Sequence, residues 1–102
     1  MEFIFIYIPM SSKEEAKKIV FHLLEKKFIA CANIFPIESF YWWEGKITED
    51  NEIVAIVKTV AENYEKVKRE VETLHSYSVP CITKLTASAN EKYFQWLKDA
   101  VN

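Results

Sequence analysis

Ser39-Phe40-Tyr41-Trp42-Trp43-Glu44-Gly45-Lys46-Ile47 contains two of the chain's 3 tryptophans and its 1 glycine. Glu44-Gly45 is a turn signal, because glycine accepts positive φ at little steric cost. Aromatic residues crowd the approach to that turn. A short chain has one small core and cannot easily hide so much aromatic area at a hairpin tip. Aromatic side chains are enriched in the buried centres of interfaces. The hairpin is therefore expected to be covered by another copy of the chain, with Trp43 as an anchor.

Working outward, residues 37–60 read as one long, bent antiparallel excursion. Residues 29–36 form a strand expected to stop or bend at Pro36. Glu49-Asp50-Asn51 reads as a polar break, with a further strand from Glu52 to Val60. Near the N-terminus, Phe3 to Ile8 is a continuous β-prone run suited to a central strand. Ser12-Lys13-Glu14-Glu15 matches a capping box. Ala16, Ile19, Val20, Leu23 and Leu24 then mark the apolar stripe of a first helix. A second helix is expected over Ala61 to His75, buried through Tyr64, Val67, Val71 and Leu74. Cys81 to Thr86 reads as a last core strand. Ser88 or Asn90 caps a final helix carrying Tyr93, Trp96, Leu97 and Val101.

The order βα, β-hairpin, βα, terminal helix predicts an α+β fold. It is the ferredoxin-like split βαβ arrangement, an antiparallel sheet with helices on one face. The 102 residues suffice for one domain, taken as 1–102. Half of the residues are apolar, which argues against disorder.

A net charge of -2 offers no electrostatic case for nucleic acid. Arg69 is the only arginine, and bidentate phosphate or base-edge recognition favours the guanidinium fork. Neither a nucleic-acid nor a membrane partner is expected. Phe3 to Ile8 is too short for a signal peptide or a membrane span, so a cytoplasmic location is expected. The 2 cysteines, Cys31 and Cys81, form no CxxC pair and are expected as free thiols.

Several residues carry two readings. Cys31 and Cys81 with His75 are a candidate soft-metal site, since thiolate and imidazole suit copper and zinc. Buried free cysteines acting as small hydrophobes are the alternative. His75 is either a ligand or a helix C-terminal histidine that favours the dipole. His22 lies off the apolar stripe and is expected in solvent or at an interface. Lys58 snorkels, enters a structural salt bridge or hydrogen bond, or binds a small anion beside Glu52, Tyr41 and Tyr77. A thiol enzyme on Cys31 would need a partner that spacing does not supply. No G-x-S-x-G elbow and no glycine-rich phosphate loop occurs. No enzyme is expected.

Taken in order, a set of phrases carries a resemblance. These are Leu24-Glu25-Lys26 leading to Ala30-Cys31-x-Asn33-Ile34, then Ser39-x-Tyr41-x-Trp43-x-Gly45-Lys46-Ile47. Glu52 with Lys58-Thr59, His75-x-Tyr77-x-x-Pro80-x-Ile82 and Tyr93-x-x-Trp96 complete it. The set resembles the CutA divalent-cation tolerance proteins and spans nearly the whole chain. The resemblance implies a ferredoxin-like subunit in a tight homotrimer, with extended hairpins paired edge to edge between copies. It implies a microbial cytoplasmic protein linked to tolerance of copper or another divalent cation.

Similar trimers include PII-type signalling proteins, which bind small effectors between subunits. By that analogy Asn33, Tyr41, Trp43, Lys58 and Tyr77 would line an intersubunit cleft, with a small anion as the alternative ligand. Two departures stand out. Ser76 replaces a usual proline, and Cys81 replaces a frequent glutamate. Ile8 and Leu74 stand where some members place a copper-binding cysteine and a second histidine. Only His75 of that set is present.

Overall fold

Alternation along the first strand divides the molecule. The computed structural model describes residues 2–102. Strand β1 (Glu2–Met10) turns Ile4, Ile6, Ile8 and Met10 to one face of the sheet, where all are buried. Helix α1 (Lys13–Glu25) covers that face with Ala16, Ile19 and Leu23. Helix α2 (Tyr64–Leu74), preceded by a single 3-10 turn over Ala61–Asn63, adds Val67 and Val71. Each fully buried aliphatic side chain stabilises by about 2 kcal/mol.

Strands β2 (Cys31–Trp43), β3 (Lys46–Thr59) and β4 (Thr83–Ser88) complete an antiparallel sheet in the order β2-β3-β1-β4. That is the expected split βαβ topology, with the two crossover helices on one face. The terminal helix α3 (Glu91–Ala100) behaves differently. Its Tyr93 ring stands 6.1 Å from Phe3, an odd-numbered residue of β1, and thus reaches the opposite face.

Three boundaries differ from the sequence reading. β2 runs through Pro36, which sits opposite Ile53. As the sheet edge, β2 carries a ladder on one side only, where a proline is tolerated. Glu49-Asp50-Asn51 is no break, because it lies inside β3 opposite Phe40, Ser39 and Glu38. A two-stranded ribbon wet on both faces accepts polar residues. β4 begins at Thr83 rather than Cys81. The Ile82 carbonyl accepts the Tyr64 hydroxyl at 2.7 Å, which ties that segment to α2.

The β2–β3 ribbon makes the subunit long, 45 × 23 × 21 Å. Its radius of gyration is 14.2 Å, against about 13 Å for a compact chain of this length. At the tip Glu44 (φ 50°) and Gly45 (φ 78°) both take positive φ, the signature of a type I′ turn. A Cβ on Gly45 would meet nothing within 4 Å, so glycine is there for its backbone freedom and not for space.

Helix α1 ends in a Schellman motif. The Phe28 amide donates to the Leu23 carbonyl at 3.1 Å and the Lys27 amide to Leu24 at 2.9 Å. Lys27 occupies the left-handed position (φ 59°) that usually falls to glycine. His22 is not free in solvent. Its Nε2 lies 2.6 Å from Glu70 and joins α1 to α2. That contact is the first cause of the lowered Glu70 pKa. Where β3 meets α2, Thr59 donates to the Phe28 carbonyl at 2.7 Å and Asn63 donates to the same oxygen at 3.1 Å.

The capping box forms in altered shape. Ser12 Oγ accepts the Glu15 amide at 3.1 Å, as expected. The Glu15 carboxylate reaches past Ser12 to the Ser11 amide at 3.1 Å and the Ser76 amide at 2.7 Å. Burial pushes its pKa up, but the bonds from Ser76 and Ser11 more than offset this and hold it below 4.5. A carboxylate with a depressed folded pKa contributes stability above its unfolded pKa. That contribution is lost as pH falls through the folded value.

Gly45→Ala should destabilise the protein by about 1 kcal/mol and Lys27→Gly should stabilise it by a comparable amount, read from urea midpoints. Glu15→Gln should lower stability at neutral pH and flatten its decline below about pH 4.5, measured by urea unfolding across pH 3–7.

Candidate functional site

The register of the ribbon assembles a pocket. Tyr41 and Trp43 on β2 share a face with Asp50 and Glu52 on β3, because partners and alternate residues of paired strands point the same way. The loop after α2 closes the other side with Tyr77, Val79 and Cys81, and Pro9 of β1 forms the floor. The cavity measures about 320 Å³.

Two phenols hold the carboxylates in place. Tyr77 donates to Glu52 Oε2 at 2.7 Å, and Tyr41 donates to Asp50 Oδ2 at 3.3 Å. Glu52 is 8% exposed. Burial, then the bond and charge of Glu52, push the Tyr77 phenol far above its ordinary value. Desolvation and the Asp50 charge raise that of Tyr41. Both hydroxyls therefore stay protonated donors, and the negative charge of the pocket rests on the acids.

His75 stands behind this wall. Its ring centroid is 4.7 Å from that of Tyr77, and it is buried. Nδ1 accepts the Tyr77 amide at 3.0 Å, so Nε2 carries the proton and donates to the Pro9 carbonyl at 2.8 Å. Both ring nitrogens are thus engaged in ordering the loop. His75 is the C-cap of α2, the helix-end position read from sequence.

The residues named from sequence divide into two places. Tyr41, Trp43, Tyr77 and Cys81 meet at the pocket, with His75 adjoining. Cys81 is exposed, its Sγ 3.2 Å from the Thr83 hydroxyl. Cys31, Lys58 and Asn33 lie further along the sheet. Cys31 pairs with Lys58, which pairs with Phe5, whereas the His75 contact is at Pro9. Four residues of strand separate the two, roughly 13 Å.

Cys31 Sγ lies 3.3 Å from the Tyr93 hydroxyl, which burial and that thiol push up to about 12. The salt bridge expected near a subunit boundary involves a second copy; within the single chain, among the described residues, Lys58 makes none. Its ammonium sits over the Phe5 and Tyr93 rings at 5.5 and 5.8 Å. The three proposed metal ligands therefore do not converge within one chain. No cluster of three His, Cys, Asp or Glu able to hold a metal occurs among the described residues. Among the described residues of one chain, Asp50 and Glu52 are the charged lining of this pocket.

Asp50 was missed as a site residue because 49–51 read as a break. A strand reading puts Asp50 and Glu52 two residues apart on one face, opposite Ser39 and Ile37 and on the same face as Tyr41.

Comparison with known proteins agrees with this architecture. A family model described as CutA1 divalent ion tolerance protein matches residues 4–100. The chain is 49% identical over 98 residues to a divalent-cation tolerance protein CutA of Archaeoglobus fulgidus, covering 95% of this chain and 96% of that one. It is 43% identical over 95 residues to the Pyrococcus horikoshii CutA, covering 92% and 93%. A solved Archaeoglobus fulgidus CutA, described as periplasmic, superposes with a TM-score of 0.95 at 46% identity, covering 100% of both chains. No described helix is long and apolar enough to cross a membrane. With an ordered set of site phrases, a matching fold and a family model across nearly its full length, this chain belongs to the CutA1 divalent ion tolerance protein family.

Proposed function

We propose that this chain works as a non-enzymatic homotrimer in divalent-cation tolerance, and that its cation contact is the pocket at the base of the hairpin. One observation carries the reading. The charged lining of the pocket is Asp50 and Glu52, and the exposed thiol of Cys81 opens onto the same space. Thiolate favours soft ions such as copper, and carboxylates add hard donors and charge. Of the three ligands named from sequence, Cys81 is the one free to act. His75 orients the loop that presents it, and Cys31 belongs to the Tyr93 contact.

Self-association is supported by what the ribbon leaves uncovered. β2 is a sheet edge of 13 residues, and long open edges are templates for pairing. Phe40, Trp42 and Ile47 share the face opposite the pocket and are 66%, 72% and 70% exposed. Closed three-fold pairing would bury this edge and patch together. Trp42, more exposed than Trp43, is then the stronger anchor. The proposed compartment is the cytoplasm, although one relative's structure is described as periplasmic and an Arabidopsis thaliana relative as chloroplastic.

Copper titration followed by spectroscopy tests the pocket. Cys81→Ser should weaken binding by about tenfold or more and remove the thiolate-to-copper band, whereas His75→Ala, which only loosens the loop, should weaken binding but keep that band. Equal curves for wild type and Cys81→Ser would remove the pocket from metal binding. Light scattering of diluted protein tests assembly. Trp42→Ala should shift the particle toward smaller mass more than Trp43→Ala does, since a central aromatic anchor is worth about 2 kcal/mol or more. A wild-type particle of single-chain mass at micromolar dilution would end the trimer reading.

A further inference from the structure

The geometry points to a second class of occupant for the hairpin pocket: a small organic cation with an ammonium head, seated against the faces of Tyr41, Trp43 and Tyr77. This rests on the reading of the pocket as a cation site, but it uses the part of the wall that a metal ion does not. A metal ion would need lone pairs, which Cys81 and the pocket acids carry, although they form no three-ligand cluster among the described residues of one chain. The aromatic rings offer no such donor, yet three of them border one cavity of about 320 Å³. That volume is at the small end of the range for ligand pockets, about 300–1,000 Å³.

Ring faces are negative at their centres and attract cations, most strongly when the site is shielded from water. The pocket adds Asp50 and Glu52, so ring quadrupoles and full charges favour the same sign of guest. The phenols of Tyr41 and Tyr77 are held by these acids at 3.3 and 2.7 Å, which fixes the rings as walls. Val79 and Pro9 supply apolar surface for alkyl groups around a cationic nitrogen.

The chain's other rings show the contrast. Lys84 covers Tyr64 at 4.7 Å, Lys58 covers Phe5 at 5.5 Å and Lys66 covers Phe28 at 5.6 Å. Among the described residues no lysine or arginine lies over Tyr41, Trp43 or Tyr77. Four rings outside the pocket (Phe5, Phe28, Tyr64 and Tyr93) carry one of the chain's own ammonium groups, whereas the pocket rings carry none and Tyr77 has His75 on one side.

The test uses the full chain in its native assembly. Choline is the probe, and 3,3-dimethylbutan-1-ol, its neutral carbon isostere, is the control. Calorimetry and tryptophan fluorescence should give saturable choline binding, with the isostere weaker by about tenfold. Glu52→Gln and Trp43→Ala should each weaken choline clearly, while Trp96→Ala on α3 should not. Glu52→Gln keeps an acceptor for Tyr77, so it guards against a Trp43 variant that fails to assemble.

Equal binding of choline and its isostere would overturn the inference, as would unchanged choline binding in Glu52→Gln. Absence of choline binding would also overturn it, for instance because a neighbouring copy's lysine already fills the space. Copper separates this from the reading beneath it. Copper binding lost in Cys81→Ser without choline binding sinks only the organic cation. Choline binding with copper unaffected by Cys81→Ser sinks only the metal contact.

Discussion

The pairing of β2 with β3 beyond the body of the subunit is the constraint on which the rest depends. From Cys31 to Pro36 the ribbon belongs to the sheet and shares its helical cover. Past Ile37 it has no covering helix in the single chain, yet its ladder continues to the Trp43–Lys46 pair. Antiparallel register then sorts its side chains without further help. One face receives Tyr41, Trp43, Asp50 and Glu52, and the other receives Phe40, Trp42 and Ile47. A pocket and an apolar patch arise back to back from one strand pair.

The loop from His75 to Ile82 completes the pocket, and hydrogen bonds to three elements hold it alongside the packing of Ile82 on the core. His75 joins α2 to β1 through Pro9 and catches the Tyr77 amide on its other nitrogen. Ser76 is fastened to Glu15 at the start of α1, and Tyr77 to Glu52 on β3. Each tie reaches a different element, so the position of Cys81 depends on all of them. Where a proline would offer no amide, Ser76 supplies one, and the Glu15 carboxylate uses it.

Much of this was legible from residues alone, because local and global signals agreed. The Phe3–Ile8 run, the apolar stripes of α1 and α2 and the Glu44-Gly45 turn each predicted the element that forms. The errors share one physical origin. Pro36 and Glu49-Asp50-Asn51 were read as stops by propensities measured in ordinary sheets. Pro36 sits in the sheet proper but on its edge strand, where one ladder is missing, and the polar run sits in a two-stranded ribbon with no helix over either face, so the usual penalties for proline and charge do not apply. That misreading hid Asp50 from the site. The separation of Cys31 and Lys58 from His75 was beyond sequence, since it depends on which residues of β1 they neighbour. The bonding of both His75 nitrogens was likewise invisible.

The alternation of the ribbon also limits how its length can change. Adding one residue to each arm inserts a new pair and leaves every earlier side chain on its own face. Removing one residue from a single arm rotates everything on the far side of the lesion by half a turn, or forces a bulge. Tyr41 and Trp43 would then exchange places with Phe40 and Trp42, and acids would face the apolar patch. Insertions and deletions in this finger are therefore tolerable only in matched couples, and its reach can be lengthened in steps of one rung without rewriting what lies below.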